Sequence, residues 1–155
     1  MKIYTLKSTQ RLAISCQKAW QFFSDPKQLN KITPEDMAFE LLDGNFEQMY
    51  EGMLLHHRIK PFKALPLKWT TEITHMIDRE LFVDEQRFGP FRFWHHQHRF
   101  INIEGGVQIE DIVHYAMPFG IVGKIAHKIV VRKRLLEIFS FRKKQLHEYF
   151  GTVYP

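Results

Sequence analysis

FVDEQRFGPFRFWHHQHRF, residues 82–100, reads as a strand, a Gly89-Pro90 turn and a second strand. Side chains alternate between the faces of a strand, so Trp94, His96, His98 and Phe100 share one face of the second. Large apolar rings mixed with two imidazoles make a poor solvent face and an odd core. The mixture suits a cavity wall, where a few polar groups stand among apolar ones.

The next turn extends the reading. A two- or four-residue loop at Gly105-Gly106 pairs even positions before it with odd positions after it. With Glu104-Gly105 central, His98 faces Asp111, His96 faces Val113 and Trp94 faces Tyr115. The odd set Val107, Ile109, Asp111, Val113 and Tyr115 is more apolar than Gln108, Glu110, Ile112 and His114, so it should point inward with the even set of the strand before. Asp111 is then a lone acid on an apolar face. A buried carboxylate needs a partner, and His98 is the nearest candidate. An odd-length loop reverses this assignment. Around Phe88-Gly89-Pro90 the loop length is three or four, so parity alone does not orient Asp84 and Gln86, which share a face with Phe82.

Working outward, Lys2–Ala13 reads as a first strand. Ser15 caps a short helix with Cys16, Ala19, Trp20 and Phe23 at i, i+3, i+4, i+7. Asp25-Pro26-Lys27-Gln28 starts a second, which Thr33-Pro34 ends. From Phe39 the period becomes two, giving strands at Phe39–Leu42, Met53–Ile59, Lys68–Ile77, Leu81–Arg87, Phe91–Ile103 and Val107–Met117. Their spacing leaves no room for crossover helices, so the sheet should be antiparallel. Ile121–Phe150 reads as one long helix with Val122, Ile125, Ile129, Leu136, Phe139, Leu146 and Phe150 as its apolar stripe, and Gly151 as its stop. One domain spanning residues 1–155 is expected, of the α+β class: a curved antiparallel sheet of six to seven strands around the C-terminal helix.

This order resembles the helix-grip fold of the START-like superfamily, and the motifs resemble its bacterial ligand-binding SRPBCC branch, related to polyketide cyclase/dehydrase and lipid-transport proteins. Phe23-Ser24-Asp25-Pro26 followed by Leu29 and Ile32-Thr33-Pro34 is similar to that branch's helix pair. So is Phe82-x-Asp84-x-Gln86 followed by Gly89-Pro90-Phe91, Trp94, His96, His98 and Phe100, with Asp111, Tyr115 and Pro118-Phe119-Gly120 completing the pattern. The resemblance implies a cavity between sheet and helix, and it turns Asp84 and Gln86 inward with Trp94 and the histidines.

Composition bounds the rest. Hydrophobic residues make up 45% and charged residues 25%, which is globular rather than disordered. Cys16 is a single cysteine, so no internal disulfide forms. The segment MKIYTLKSTQ lacks the apolar core of a signal peptide, and no run approaches the roughly 20 apolar residues of a membrane span, so a cytoplasmic location is expected. Of the net charge of +5, residues 121–150 carry +6 and the remainder −1. A basic helix can meet an anionic membrane surface transiently, although a solvated face is its ordinary role. Without exposed aromatics interleaved among its Lys and Arg, nucleic acid is not an expected partner.

The expected ligand-binding set is therefore Trp69, Asp84, Gln86, Trp94, His96, His98, Phe100, Asp111 and Tyr115, with Thr71, Ile73 and His57 on the same wall. The expected ligand is a hydrophobic or aromatic small molecule, lipid-like or polyketide-like. The alternative is a cyclase- or hydrolase-type enzyme using Asp111–His98 or Asp84–His96 as an oriented acid/base pair. Two histidines at i, i+2 beside an acid also match a 2-His-1-carboxylate metal site. The expected state is nonetheless a hydrogen-bonded polar cluster, with no metal and no cofactor. No phosphate-binding glycine loop or nucleophile elbow is present.

Overall fold

Gly105, at φ +78°, lets the chain reverse tightly, and the strands on either side pair in the register His98↔Asp111, His96↔Val113, Trp94↔Tyr115. The computed structural model containing this hairpin describes residues 1–44, 48–61 and 66–154. Its strands are β1 (Tyr4–Leu12), β2 (Glu40–Leu41), β3 (Leu54–Ile59), β4 (Leu67–Ile77), β5 (Leu81–Phe88), β6 (Phe93–Ile103) and β7 (Gly106–Ala116). They form one seven-stranded sheet in the order β1-β7-β6-β5-β4-β3-β2, antiparallel at each neighbouring pair. Register shifts between Thr70 and Thr71 and between Ile73 and His75 bend β4, which helps the sheet curve.

Two short helical pieces follow β1. Helix α1 (Cys16–Phe23) starts where Ser15 Oγ accepts from the Lys18 amide at 3.2 Å, and it buries Cys16, Ala19, Trp20 and Phe23. Trp20 packs edge-on against Phe82 and Phe100, which joins α1 to β5 and β6. Pro26–Ile32 is a 3-10 helix rather than an α-helix, capped by Asp25. A Glu35–Met37 turn leads into β2.

The C-terminal helix differs from its expected pattern. It runs as α2 (Gly120–Ala126), a π-helical turn (His127–Val131) and α3 (Arg132–Phe150). The buried seam is Gly123, His127, Val131, Leu135, Phe139 and Leu146. Val122, Ile125, Ile129 and Leu136, expected inside, are exposed. The wider π turn keeps four-residue steps on one side, where a regular α-helix would carry them away, so the 3.6-residue count loses phase before Val131. Gly123 permits the close start, because a Cβ there would meet the Pro118 carbonyl oxygen at 1.9 Å. His127 is held by Tyr115, with its Nε2 2.8 Å from the phenol oxygen, and it stacks on Tyr4 at 3.5 Å. Among the described residues no helix is long and apolar enough to cross a membrane.

Candidate functional site

Strands β3 to β6, the Pro26–Ile32 helix and α3 enclose a cavity of about 210 Å³. One end is aromatic. Trp69 meets Trp94 edge-on at 5.3 Å, and Phe91 lies 4.8 Å from Trp94 and 5.6 Å from Trp69. Thr71, Ile73 and His57 lie on the same wall. His57 sits between Phe39 and Trp69, and burial lowers its imidazole pKa to about 4 despite opposing pulls from Asp84 and Asp43.

The other end is a cluster of two carboxylates and two imidazoles from three adjacent strands. β5 supplies Asp84 opposite His96, β6 supplies both histidines, and β7 supplies Asp111 opposite His98. His96 and His98 lie two residues apart on one strand face, their ring centroids 3.7 Å apart. His96 donates from Nε2 to Asp111 Oδ1 at 2.9 Å, and His98 donates from Nε2 to Asp84 Oδ2 at 2.7 Å. The second contacts complete a ring: His96 Nδ1 is 3.4 Å from Asp84 Oδ2 and His98 Nδ1 is 3.0 Å from Asp111 Oδ1. This last pair is close but poorly aligned for a hydrogen bond, and among the described residues His98 Nδ1 has no other partner. Phe82 stacks on His98 at 4.1 Å and Phe139 stands 5.8 Å from His96, so the surroundings are apolar.

Charge follows from this geometry. Burial opposes ionisation of both carboxyls. At Asp111 the bond from His96 and the close approach of both imidazoles outweigh it and hold the acid well below the usual range. Asp84 is held down against burial by His96, His98 and Arg142. Burial works against a charged His98 too, but the bond to Asp84 and the close Asp111 carboxylate raise its affinity for a proton. His96 goes the other way, lowered by burial and by the neighbouring His98. The cluster is thus two carboxyls pulled toward the ionised form, with His98 holding a proton more tightly than His96 does.

The nine residues expected at the site separate into groups. Trp69, Asp84, Trp94, His96 and His98 line the cavity. Among the described residues the other four do not. Asp111 sits behind the histidines, touching their far nitrogens. Gln86 clips the β5–β6 turn, donating to the Phe91 carbonyl at 2.6 Å and accepting from its amide at 3.2 Å. Phe100 packs with Trp20 and Phe23 in the core. Tyr115 belongs to the Tyr4–His127 stack.

Arg142 and Gln28 are among the lining residues that the sequence reading missed. Arg142 Nε is buried, without a hydrogen-bond partner among the described residues, and the guanidinium lies 5.2 Å from the Phe139 ring centre. Gln28 turns its amide nitrogen to Asp25 and leaves a buried Oε1 unpartnered. Arg142 had a signal: Leu135, Phe139, Arg142 and Leu146 follow four-, three- and four-residue steps on one helix face. Gln28 had none beyond its capping position.

Asp84, His96 and His98 also form a group whose ligand-type atoms lie within 4.8 Å of one another, close enough to gather on one metal ion after a small adjustment.

No protein-family model and no curated protein matches the chain. Solved structures do. A Chromobacterium violaceum protein superposes with a TM-score of 0.73 at 13% identity, over 97% of this chain and 99% of that one. Norcoclaurine synthase from Thalictrum, a point mutant in complex with a transition-state analogue, gives 0.64 at 15% identity, over 96% of each chain. Ara h 8.0201 gives 0.62 at 12% identity, over 95% of this chain and 99% of that one. At these identities the shared feature is the fold: the chain has a helix-grip fold, its antiparallel sheet curved around a C-terminal helix.

Proposed function

We propose that the chain is a cytoplasmic ligand-binding protein of the SRPBCC branch that holds a hydrophobic or aromatic small molecule in this cavity. The observation that carries the reading is the division of the cavity into an aromatic end (Trp69, Phe91, Trp94) and a polar end (Asp84, His96, His98, Arg142). Such a division orients an amphipathic ligand, with its ring or chain against the tryptophans and its polar group at the cluster. Ligand cavities commonly measure roughly 300–1,000 Å³, so about 210 Å³ favours a compact, one- or two-ring ligand over a long acyl chain. Native mass spectrometry of freshly purified protein tests this, together with displacement of N-phenyl naphthylamine. A bound small molecule, and probe binding lost in Trp94→Ala, support the reading. Probe binding that Trp94→Ala leaves unchanged counts against it.

A second reading, a cyclase- or hydrolase-type enzyme, is favoured by the state of His96. Its Nε2 is bonded to Asp111, which orients the ring, and its Nδ1 stands 3.4 Å from Asp84 Oδ2 at the cavity wall, the arrangement of an oriented acid/base pair. A structural neighbour that is a synthase lends this class some support. Under it, His96→Gln removes turnover while ligand still binds; a pure binder loses affinity alone.

We also propose transient docking on an anionic membrane surface, through the exposed apolar residues of α2 and the π turn and the lysines among them. A lipid surface can supply a hydrophobic ligand.

A further inference from the structure

We propose that Asp84, His96 and His98 form a site for one divalent transition-metal ion of the Zn(II)/Fe(II) class, open to the cavity, with Asp111 fixing both imidazoles from behind.

The donor set comes first. Two imidazoles and one carboxylate suit zinc, iron(II) and cobalt(II), not the oxygen-only preference of magnesium or calcium. Geometry comes second. Metal–ligand bonds of about 2.0–2.2 Å place neighbouring ligand atoms about 2.8–3.5 Å apart. Asp84 Oδ2 is 2.7 Å from His98 Nε2 and 3.4 Å from His96 Nδ1. All three residues line the cavity, and the histidines are only 4% and 6% exposed.

The far side of each ring supplies an independent observation. Metal-bound histidines usually give their other N–H to a carboxylate, which fixes ring orientation and tautomer. Asp111 Oδ1 stands behind both rings at once, 2.9 Å from His96 Nε2 and 3.0 Å from His98 Nδ1. His98 Nδ1 is buried without an aligned partner while Nε2 spends its proton on Asp84. A metal at Nε2 releases that proton and leaves the remaining N–H at Nδ1, where Asp111 waits. The orphaned nitrogen then has its acceptor after a small rotation. The sequence pattern offers an acid beside the two histidines without choosing one; the geometry favours Asp84 as ligand and Asp111 as support.

Arg142 works against the site, since its charge acts on Asp84. Two carboxylates against one guanidinium still leave the pocket negative when both imidazoles are neutral, so a divalent ion is accommodated. Three protein ligands leave coordination positions open toward the aromatic end, available to a polar group of the bound molecule.

The test uses cobalt(II) chloride with tag-free, chelator-stripped protein, read by visible ligand-field absorbance and competed with zinc chloride. The expected result is saturable 1:1 uptake with a raised melting temperature. Uptake should weaken about 10–100-fold in Asp111→Asn, as for other supporting carboxylates. His96→Ala and His98→Ala should abolish it. Changing the exposed pairs His56–Asp43 or His75–Glu51 through His56→Ala or His75→Ala should not matter. No saturable 1:1 uptake by the wild-type protein overturns the proposal, and so does uptake that survives in His96→Ala and His98→Ala. The wild-type titration decides without any variant. Because it contains no organic ligand, its failure leaves the cavity reading intact.

Discussion

His96, not the directly opposite His98, makes the well-aligned bond to Asp111, donating diagonally across β6 and β7 at 2.9 Å. His98 sits in register with Asp111 yet sends its own aligned bond back across to Asp84. The two carboxylates are therefore shared between two imidazoles, each acid touching both rings. Four ionisable side chains from three strands pack as one unit, three of them buried and Asp84 partly open to the cavity.

Removing one member should cost more than a surface pair would. Asp111→Asn keeps the shape but deletes a negative charge that raises the affinity of His98 for a proton. Breaking a buried charge pair by removing one partner costs about 3–5 kcal/mol. Urea unfolding at pH 7 should show that loss as a lower midpoint with an unchanged slope. A change below about 0.5 kcal/mol, typical of surface substitutions, would show that the cluster is not buried as described.

His57 predicts an acid sensitivity. Burial brings its folded pKa to about 4, from an ordinary 6.5. Between these values the unfolded chain binds the proton and the folded chain does not. Stability linked to His57 is thus fully present above pH 6.5 and declines as pH falls to about 4, by about 3 kcal/mol in all. His57→Phe, which retains a ring between Phe39 and Trp69, should remove this component. Urea unfolding at pH 7.5 and pH 4.5 checks it: equal losses in wild type and variant sink the assignment.

Arg142 separates binding from stability. A buried guanidinium nitrogen without a partner contributes little to folding and is costly to desolvate. Arg142→Met keeps most of the aliphatic packing on Phe139 and should leave stability within about 1 kcal/mol. It should instead lower affinity for anionic ligands. Anilinonaphthalene sulfonate should bind more weakly to the variant while neutral N-phenyl naphthylamine binds as before. Equal effects on both probes would assign Arg142 to packing alone.

These sites were not equally legible in the sequence. The Glu104-Gly105 turn fixes parity, and parity alone aligns Trp94, His96 and His98 with Tyr115, Val113 and Asp111 as found. Alternation cannot say which inward residues reach the cavity, so Phe100 and Tyr115 fall on the inward face but pack into the core beside it. Gln86 faces a turn whose backbone it satisfies, a demand visible only once the loop is built. The helix misled most. Periodicity rewards Ile125 and Ile129 over His127, and it cannot anticipate a π turn that buries a histidine against Tyr115.

That displaced stripe leads to the last prediction. Phe119, Ile121, Val122, Ile125 and Ile129 are 82%, 74%, 69%, 54% and 67% exposed along one short segment. Lys124, Lys128 and Lys133 lie on the same stretch of helix, whose opposite side is the buried seam. An apolar ridge beside lysines matches the boundary of an anionic bilayer: rings and branched chains enter the acyl layer while ammonium groups meet headgroup charge. Each lysine near such a surface contributes about 1 kcal/mol, roughly a fivefold change in partitioning. The protein should co-sediment with phosphatidylserine/phosphatidylcholine vesicles at low salt and be released as salt rises. Lys124→Glu with Lys128→Glu should remove the preference for the anionic vesicles. Ile125→Asp with Ile129→Asp should weaken binding at any salt, leaving the cavity's probe affinity unchanged. If wild-type protein stays in the supernatant at low salt, the ridge is not a membrane surface.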